Sequence, residues 1–392
     1  MRFFKDLTLS TFVAGFVSVL VGLTSSVAIV FQAALAFGAT PAQISSWMWA
    51  LGLGMGLCSL VPSLILKKPV MVAWSTPGAA VLATAGALGG FTMGDAVGAF
   101  MVSAALIFLA GVTGWFERVM GKIPQEIAAA LLAGVLAKFG MQAFSAAETA
   151  PALILSMLLT YLLARRWLPR YAVMLTLAAG IACAALQGKM NWSAIHWELA
   201  VPVFTMPTFS LAAVMSLALP LFVVTMASQN VPGVAVIRAS GYDLPVSKLI
   251  SMTGLATFVL APFGGYALNF SAITAAICMG PEAHPDPAKR YTAAATCGII
   301  YILVGIFGAV VTGLLIAFPK ELVMGIAGLA LLGSIGSGLA NAVRDESHRE
   351  AALITFLVTL SGVTLAGIGS AFWGVVAGSV ALFVQQYGRK NH

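Results

Sequence analysis

The sequence predicts an all-α membrane protein of about fourteen transmembrane helices in two inverted seven-helix repeats. Three observations carry this. Of its 392 residues, 60% are hydrophobic and only 8% charged, against about 25% charged in a soluble domain. The chain therefore lacks the charge to cover a water-facing surface, and a soluble enzyme is excluded. Its apolar runs are continuous, as from Leu303 to Phe318, whereas a barrel strand alternates polarity over roughly ten residues; the spans are helices. Finally, two polar interruptions of similar design recur about half a chain apart.

Cutting at charges, prolines and glycine clusters places spans at 11–34, 42–66, 70–90, 96–117, 123–144, 150–168 and 170–187. The second set is 209–238, 246–262, 264–280, 288–318, 320–340, 350–368 and 370–388. Each approaches the ~20 apolar residues that cross a bilayer. The start, Met1-Arg2-Phe3-Phe4-Lys5, mimics a secretory leader. The apolar run from Phe12 to Phe37 is too long for a leader core of about 7–15 residues, so it is expected to stay as the first span. Residues 1–190 form the first repeat and 209–392 the second. The polar stretch 191–208 between them carries Trp192 and Trp197, which suit a membrane interface.

The basic residues orient these spans. With the N-terminus in the cytoplasm, 17 of the 20 Lys and Arg fall in inner loops and tails; only Lys138, Lys189 and Lys320 do not. The positive-inside rule asks for this bias, and losing one span would reverse every later loop. An even count with both termini cytoplasmic follows, in a bacterial inner membrane. The net charge of +7 marks topology and not nucleic acid, since no Lys/Arg run exceeds two residues. Cys58, Cys183, Cys278 and Cys297 form no CxxC pair and read as small buried hydrophobes. No metal cluster, phosphate-cradling loop or catalytic triad is visible, so neither a cofactor nor an enzyme activity is expected.

The third span opens with the β-prone stretch Pro69 to Trp74, then Ser75-Thr76-Pro77-Gly78, then small residues from Ala79 to Ala87. Thr76 is the expected N-cap, with Pro77 at the first helical position. The tenth span repeats this design. Gly264 to Phe270 is extended, Ser271 can cap, and Ala272 to Met279 is helical; Thr76 and Ser271 are 195 residues apart. Aligning Gly38 with Gly241 lays Ser25-Ser26 over Ser228-Gln229, the polar clusters of spans one and eight. Seven spans per repeat is odd, so the second copy is inverted. Matched interrupted segments in inverted halves point to a transporter site.

In that topology the two half-helices start near mid-membrane and their N-termini converge. Each presents unpaired N–H groups and about half a positive charge, which favours an anion. The side chains expected there are Trp74, Ser75, Thr76, Asn269, Phe270 and Ser271, beside Gly78. Spans one and eight add Thr24, Ser25, Ser26, Ser228, Gln229 and Asn230. This uncharged polar set with aromatic rings suits a small planar anion. Interfacial anchoring of Trp74 and interhelical bonding by Gln229 and Asn230 are the structural alternatives. Pro232 is expected to kink span eight, and Asp95 to cap span four. Ionisable groups at membrane depth are functional candidates; Glu126, near the inner end of span five, and Glu282 and His284, on the inner side after the tenth half-helix, are the candidates for proton coupling, with a helix N-terminal carboxylate and a solvated loop as the structural alternatives.

Four blocks carry a family resemblance: Ala73-Trp74-Ser75-Thr76-Pro77-Gly78, Thr225 to Gly233, Ile277 to Asp286, and Gly367 to Gly374. They resemble the bacterial benzoate:proton symporter family (BenE type), over essentially the whole chain. The resemblance implies a uracil-transporter-like fold of seven plus seven inverted spans. Its core would be spans 1–4 and 8–11 and its gate spans 5–7 and 12–14. The substrate would sit between the third and tenth half-helices, and some members are dimers. It implies import of benzoate or a related aromatic carboxylate with a proton; a nucleobase carrier or an anion channel is the alternative. Uracil-type relatives carry glutamates in spans eight and ten, where this chain has Gln229, Asn230 and Asn269. The proton would then travel on the substrate or through Glu282 and His284.

Overall fold

The computed structural model describes residues 2–24, 26–87, 90–120, 124–191, 199–307, 317–363, 365 and 370–386. Ser25, Trp192, Trp197 and Gly367 to Gly369 lie outside them. The described chain is helical apart from two three-residue strands. In order, its elements are α1 (Leu9–Thr24), α2 (Val27–Ala36), α3 (Pro41–Leu66), β1 (Val72–Trp74), α4 (Thr76–Ala87), α5 (Met93–Val112), α6 (Gln125–Ser145), α7 (Pro151–Trp167) and α8 (Ala172–Leu186). After the linker come α9 (Leu211–Ala239), α10 (Val246–Leu260), β2 (Leu268–Phe270), α11 (Ile273–Met279), α12 (Tyr291–Ile306), α13 (Lys320–Ala342), α14 (Arg349–Ser361) and α15 (Ser370–Gln386).

Helical structure stands in each segment expected from the sequence, but the segments are not equally suited to crossing a bilayer. By length and composition five described helices qualify: Pro41–Leu66, Met93–Val112, Glu126–Glu148, Leu211–Ala239 and Val246–Phe263. A sixth is added if Lys320–Gly333 and Ile335–Ala342, which meet at 40°, count as one bent span. The first expected span is broken near Ser26, whose φ of −143° and ψ of −7° depart from helix.

Two helix pairs are pressed together through glycine. In the α3/α12 pair, a Cβ on Gly52 would come within 2.7 Å of Gly305 backbone, and one on Gly298 within 2.8 Å of the Gly56 carbonyl. In the α5/α10 pair, a Cβ on Gly111 would lie 2.5 Å from Ser251 N, and one on Gly254 2.6 Å from Phe108 N. Small residues let helices touch backbone to backbone, as packing without a hydrophobic driving force requires. Elsewhere α6 packs along α13, α7 along α8, and α14 along α15.

Helix α9, where Pro232 is expected to kink the span, is irregular on the N-terminal side of its prolines. Its irregularities are two π-helical stretches, Val214–Ala218 and Met226–Asn230. Each ends two residues before a proline, Pro220 and Pro232. Proline supplies no N–H to the carbonyl four residues back, and the wider turn absorbs that loss; such π-bulges cluster at functional sites. The N-terminus of α5 differs too. Thr92 is the N-cap, and Asp95 is its capping-box partner: Thr92 N–H donates to Asp95 Oδ2 at 2.9 Å and Asp95 N–H to Thr92 Oγ1 at 3.2 Å.

Candidate functional site: a strand crossing between two half-helices

The two strands pair antiparallel, with Val72 opposite Phe270, Ala73 opposite Asn269 and Trp74 opposite Leu268. Ser271 N–H extends the ladder to the Met71 carbonyl at 3.0 Å. Three residues of pairing cannot satisfy an extended backbone buried among helices, so side chains of neighbouring helices complete it. Ser59 Oγ of α3 accepts Val72 N–H at 3.0 Å, and Thr257 Oγ1 of α10 accepts Leu268 N–H at 3.1 Å. Asn230 Oδ1 of α9 accepts Phe270 N–H at 2.9 Å. The chain enters β2 through Gly264 at φ +95°, where a Cβ would fall 1.9 Å from the Trp47 ring. Only glycine fits that turn.

Each strand leads into a half-helix through a serine. Ser75 Oγ accepts Gly78 N–H at 3.0 Å, and Ser271 Oγ accepts Thr274 N–H at 3.3 Å. The cap of α4 is therefore Ser75, not Thr76, and Pro77 is the second helical residue. A serine where the strand ends can take this task because its short hydroxyl reaches forward to the N–H three residues on. The matched pair is Ser75 and Ser271, 196 residues apart. That offset maps Ala73 onto Asn269, which is also its partner in the ladder. A local two-fold axis therefore runs between Ala73 and Asn269.

The crossing is tightly enclosed. Trp74, Ser75, Ser26, Ser228, Asn230, Asn269, Phe270 and Ser271 are all buried, while Ala73, Thr76 and Gln229 are half-buried. Trp74 Nε1 donates to Ser26 Oγ at 2.9 Å, and Ser26 Oγ donates to the Gly22 carbonyl at 2.9 Å. This ties α2 and β1 together, so Trp74 is not an interfacial anchor. Gly78 is held between Ser75 and Leu221, whose Cδ1 would lie 2.7 Å from an added Cβ. Asn269 Nδ2 donates to the Ala267 carbonyl at 2.8 Å, and its Oδ1 is buried without a partner.

The proton-coupling candidates are not gathered at the crossing. Glu282, past the far end of α11, forms an ion pair with Arg165 of α7; its side chain is 7% exposed and that of Arg165 44%. His284 is buried, and its Nδ1 accepts Asp286 N–H at 2.9 Å. Arg290 donates to the carbonyls of His284 and Met279, each at 2.7 Å, placing a cation at the C-terminus of α11. Glu126 lies 3.2 Å from His348 Nδ1, with Asp345 beside it. These three line or adjoin a cavity of about 1060 Å³ at the ends of α6, α9 and α13, with Arg238, Tyr242, Asn341 and Arg344 in its wall. The sequence shows no hint of this grouping, since Glu126 and Asp345 are over two hundred residues apart. Ser59 and Thr257 are legible in the sequence only as polar residues in apolar spans, and both satisfy strand backbone; Asn230, expected at the site, is brought to it and accepts the Phe270 N–H.

Comparison with known proteins gives the family. The family described as BenE, benzoate membrane transport protein, matches residues 5–384. Inner membrane protein YdcO of Escherichia coli is 50% identical over 374 residues, covering 95% of each chain. The benzoate membrane transport protein of Acinetobacter baylyi is 40% identical over 380 residues, covering 97% of this chain and 96% of that one. A solved structure of SLC26A9 superposes with a TM-score of 0.51 at 11% identity, covering 94% of this chain and 67% of that one; this likeness concerns fold alone. Family and Acinetobacter relative are named for membrane transport and not for an enzyme activity. Apolar helices, a buried strand crossing and a family match over nearly the whole length agree: the chain is a multi-pass membrane transport protein and belongs to the benzoate membrane transport family.

Proposed function

We propose that the protein imports benzoate or a related aromatic carboxylate together with a proton, by alternating access, across a bacterial inner membrane. The observation that carries this reading is the antiparallel pairing of two strands from opposite halves, each leading into a serine-capped half-helix. Fourteen spans in two inverted sevens give this crossing its two-fold axis. Packing agrees with that repeat. An offset of seven spans carries the α3/α12 contact onto α10/α5 and α7/α8 onto α14/α15, and it maps α6/α13 onto itself. Gly38 and Gly241, aligned by the repeat, both take positive φ, 74° and 79°. Spans 1–4 and 8–11 would form the core, and spans 5–7 and 12–14 the gate. Both termini would be cytoplasmic, in a homodimer.

In this reading the side chains divide by task. Ser75, Ser271, Gly78 and Asn230 build the crossing. Thr76 and Gln229, half-buried, with Ser26, Ser228, Asn269, Trp74 and Phe270 buried behind them, would receive the carboxyl group and its ring; Ser25, also expected there, lies outside the described residues. The large cavity is the inner vestibule: Arg238 ends α9 nine residues from Gln229, about 14 Å along the helix. Reconstitute the full chain in liposomes and measure radiolabelled benzoate uptake under an inward proton gradient. Concentrative, saturable uptake abolished by an uncoupler is expected. Uptake of uracil or xanthine in its place, or non-saturable anion flux, refutes the proposal.

A further inference from the structure

We propose that the cargo crosses as the neutral carboxylic acid, its own O–H donated to Oδ1 of Asn269, so that the coupled proton rides on the substrate. This rests on the reading of the strand crossing as the substrate site.

Asn269 is 0% exposed. Its Nδ2 is committed to the Ala267 carbonyl, which fixes the amide's orientation and turns the oxygen the other way. That oxygen has no donor. A buried acceptor left unmet is destabilising and calls for an occupant that donates. Paired residues of an antiparallel ladder share a face, with Cβ atoms about 4.5–5.5 Å apart. Ala73, the partner of Asn269, is half-buried. The face carrying this oxygen is therefore the one that Ala73 leaves partly open.

The remaining groups point to a neutral ligand too. The half-helix ends are less cationic than the sequence suggests. Gly78 N–H and Thr274 N–H are taken by Ser75 and Ser271, Pro77 has no N–H, and α11 has only seven residues. No Lys or Arg belongs to the polar set at the crossing. Burying a bare carboxylate there would be far costlier than neutralising it, and an amide oxygen repels a carboxylate but bonds an acid O–H. The acids named as proton carriers are engaged elsewhere, Glu282 with Arg165 and Glu126 beside His348. The balance is simple. Outside, the carboxylate takes a proton from hydronium, whose O–H bond breaks to leave water as the acid's O–H bond forms. The acid then crosses with no net charge and returns that proton to water inside.

Binding to the detergent-solubilised full chain tests this with benzoate, benzamide and benzenesulfonate. Above the pKa of the acid, near ~4, the apparent affinity for total benzoate is expected to fall roughly tenfold per pH unit. Benzamide, neutral and with an N–H where the acid has its O–H, is expected to compete equally at every pH. Benzenesulfonate, an anion throughout, is expected not to compete. Asn269→Leu should weaken benzoate and benzamide together by roughly tenfold, leaving the pH slope in place. A flat benzoate affinity overturns the inference, as does benzenesulfonate binding with the benzoate slope, because either keeps the proton off the substrate. Unchanged affinities in Asn269→Leu also overturn it, leaving the orphan oxygen to water. If that variant does not fold, the wild-type ligand panel decides. An absence of benzoate binding at any pH is a different result, and it removes the substrate site itself.

Discussion

The Arg165–Glu282 pair is asymmetric, and the asymmetry predicts which half can be removed. The Glu282 side chain is 7% exposed and that of Arg165 44%. Replacing Arg165 with Met strands a buried carboxylate. Breaking a fully buried pair in that way costs about 3–5 kcal/mol; with a half-exposed partner, the lower end, ~3 kcal/mol, applies. Replacing Glu282 with Gln leaves a guanidinium that water reaches, as at a surface pair worth under ~1 kcal/mol. The two single variants should therefore differ by about 2 kcal/mol. The double variant should be closer in stability to Glu282→Gln than to Arg165→Met, because it buries no unpaired charge. Thermal unfolding of the purified protein, followed by loss of monodisperse signal on size exclusion, reads this order. Equal destabilisation by the two single variants would refute the reasoning. So would a double variant as unstable as Arg165→Met alone.

Four further outcomes can be measured. Asn230→Ala, which leaves the buried Phe270 N–H without its 2.9 Å acceptor, should cost about 1–3 kcal/mol in thermal unfolding. The folded fraction should keep its benzoate affinity. Gly298→Ala should lower stability by about 1–3 kcal/mol, because the new Cβ meets Gly56 and Leu60 backbone at 2.8 Å. Gly336→Ala, with nothing within 4 Å, should be neutral or gain up to ~1 kcal/mol. Burial pushes the Tyr242 phenol up; Arg290 opposes the shift and Asp286 adds to it. A raised folded pKa gives stability that is present below the unfolded value, ~10, and lost as pH rises through the folded one. Tyr242→Phe should remove that alkaline loss while forfeiting the 2.9 Å bond to the Pro287 carbonyl. Unfolding temperatures of both proteins at rising alkaline pH check it.

What the sequence made legible was periodicity and punctuation. Charges and prolines mark where helices stop, and the paired interruptions at Ser75–Gly78 and Asn269–Ser271 locate the crossing. Long-range bonds were not legible. Thr76 and Ser75 are equally good caps on paper, and only the β conformation of the strand decides for Ser75. Asn230 looks like a substrate ligand until β2 is in place beside it, because its partner, Phe270 N–H, is forty residues away. The π stretches were hidden because Pro232 announces a missing bond but not how the helix absorbs it. The wall of the large cavity joins the start of one helix to the ends of two others, and no local pattern signals that.

The strand pair also sets a timetable for biogenesis. Val72 and Phe270 are 270 − 72 = 198 residues apart. At ~5–20 residues per second, a ribosome needs roughly 10–40 s between them. Through that interval β1 and the start of α4 are in or beside the membrane with half of their ladder missing. Lipid offers the open backbone no hydrogen bonds. Insertion and folding are thus separate events in this chain. The N-terminal helices would enter the bilayer while β1 waits for its partner, and the crossing closes only when β2 arrives.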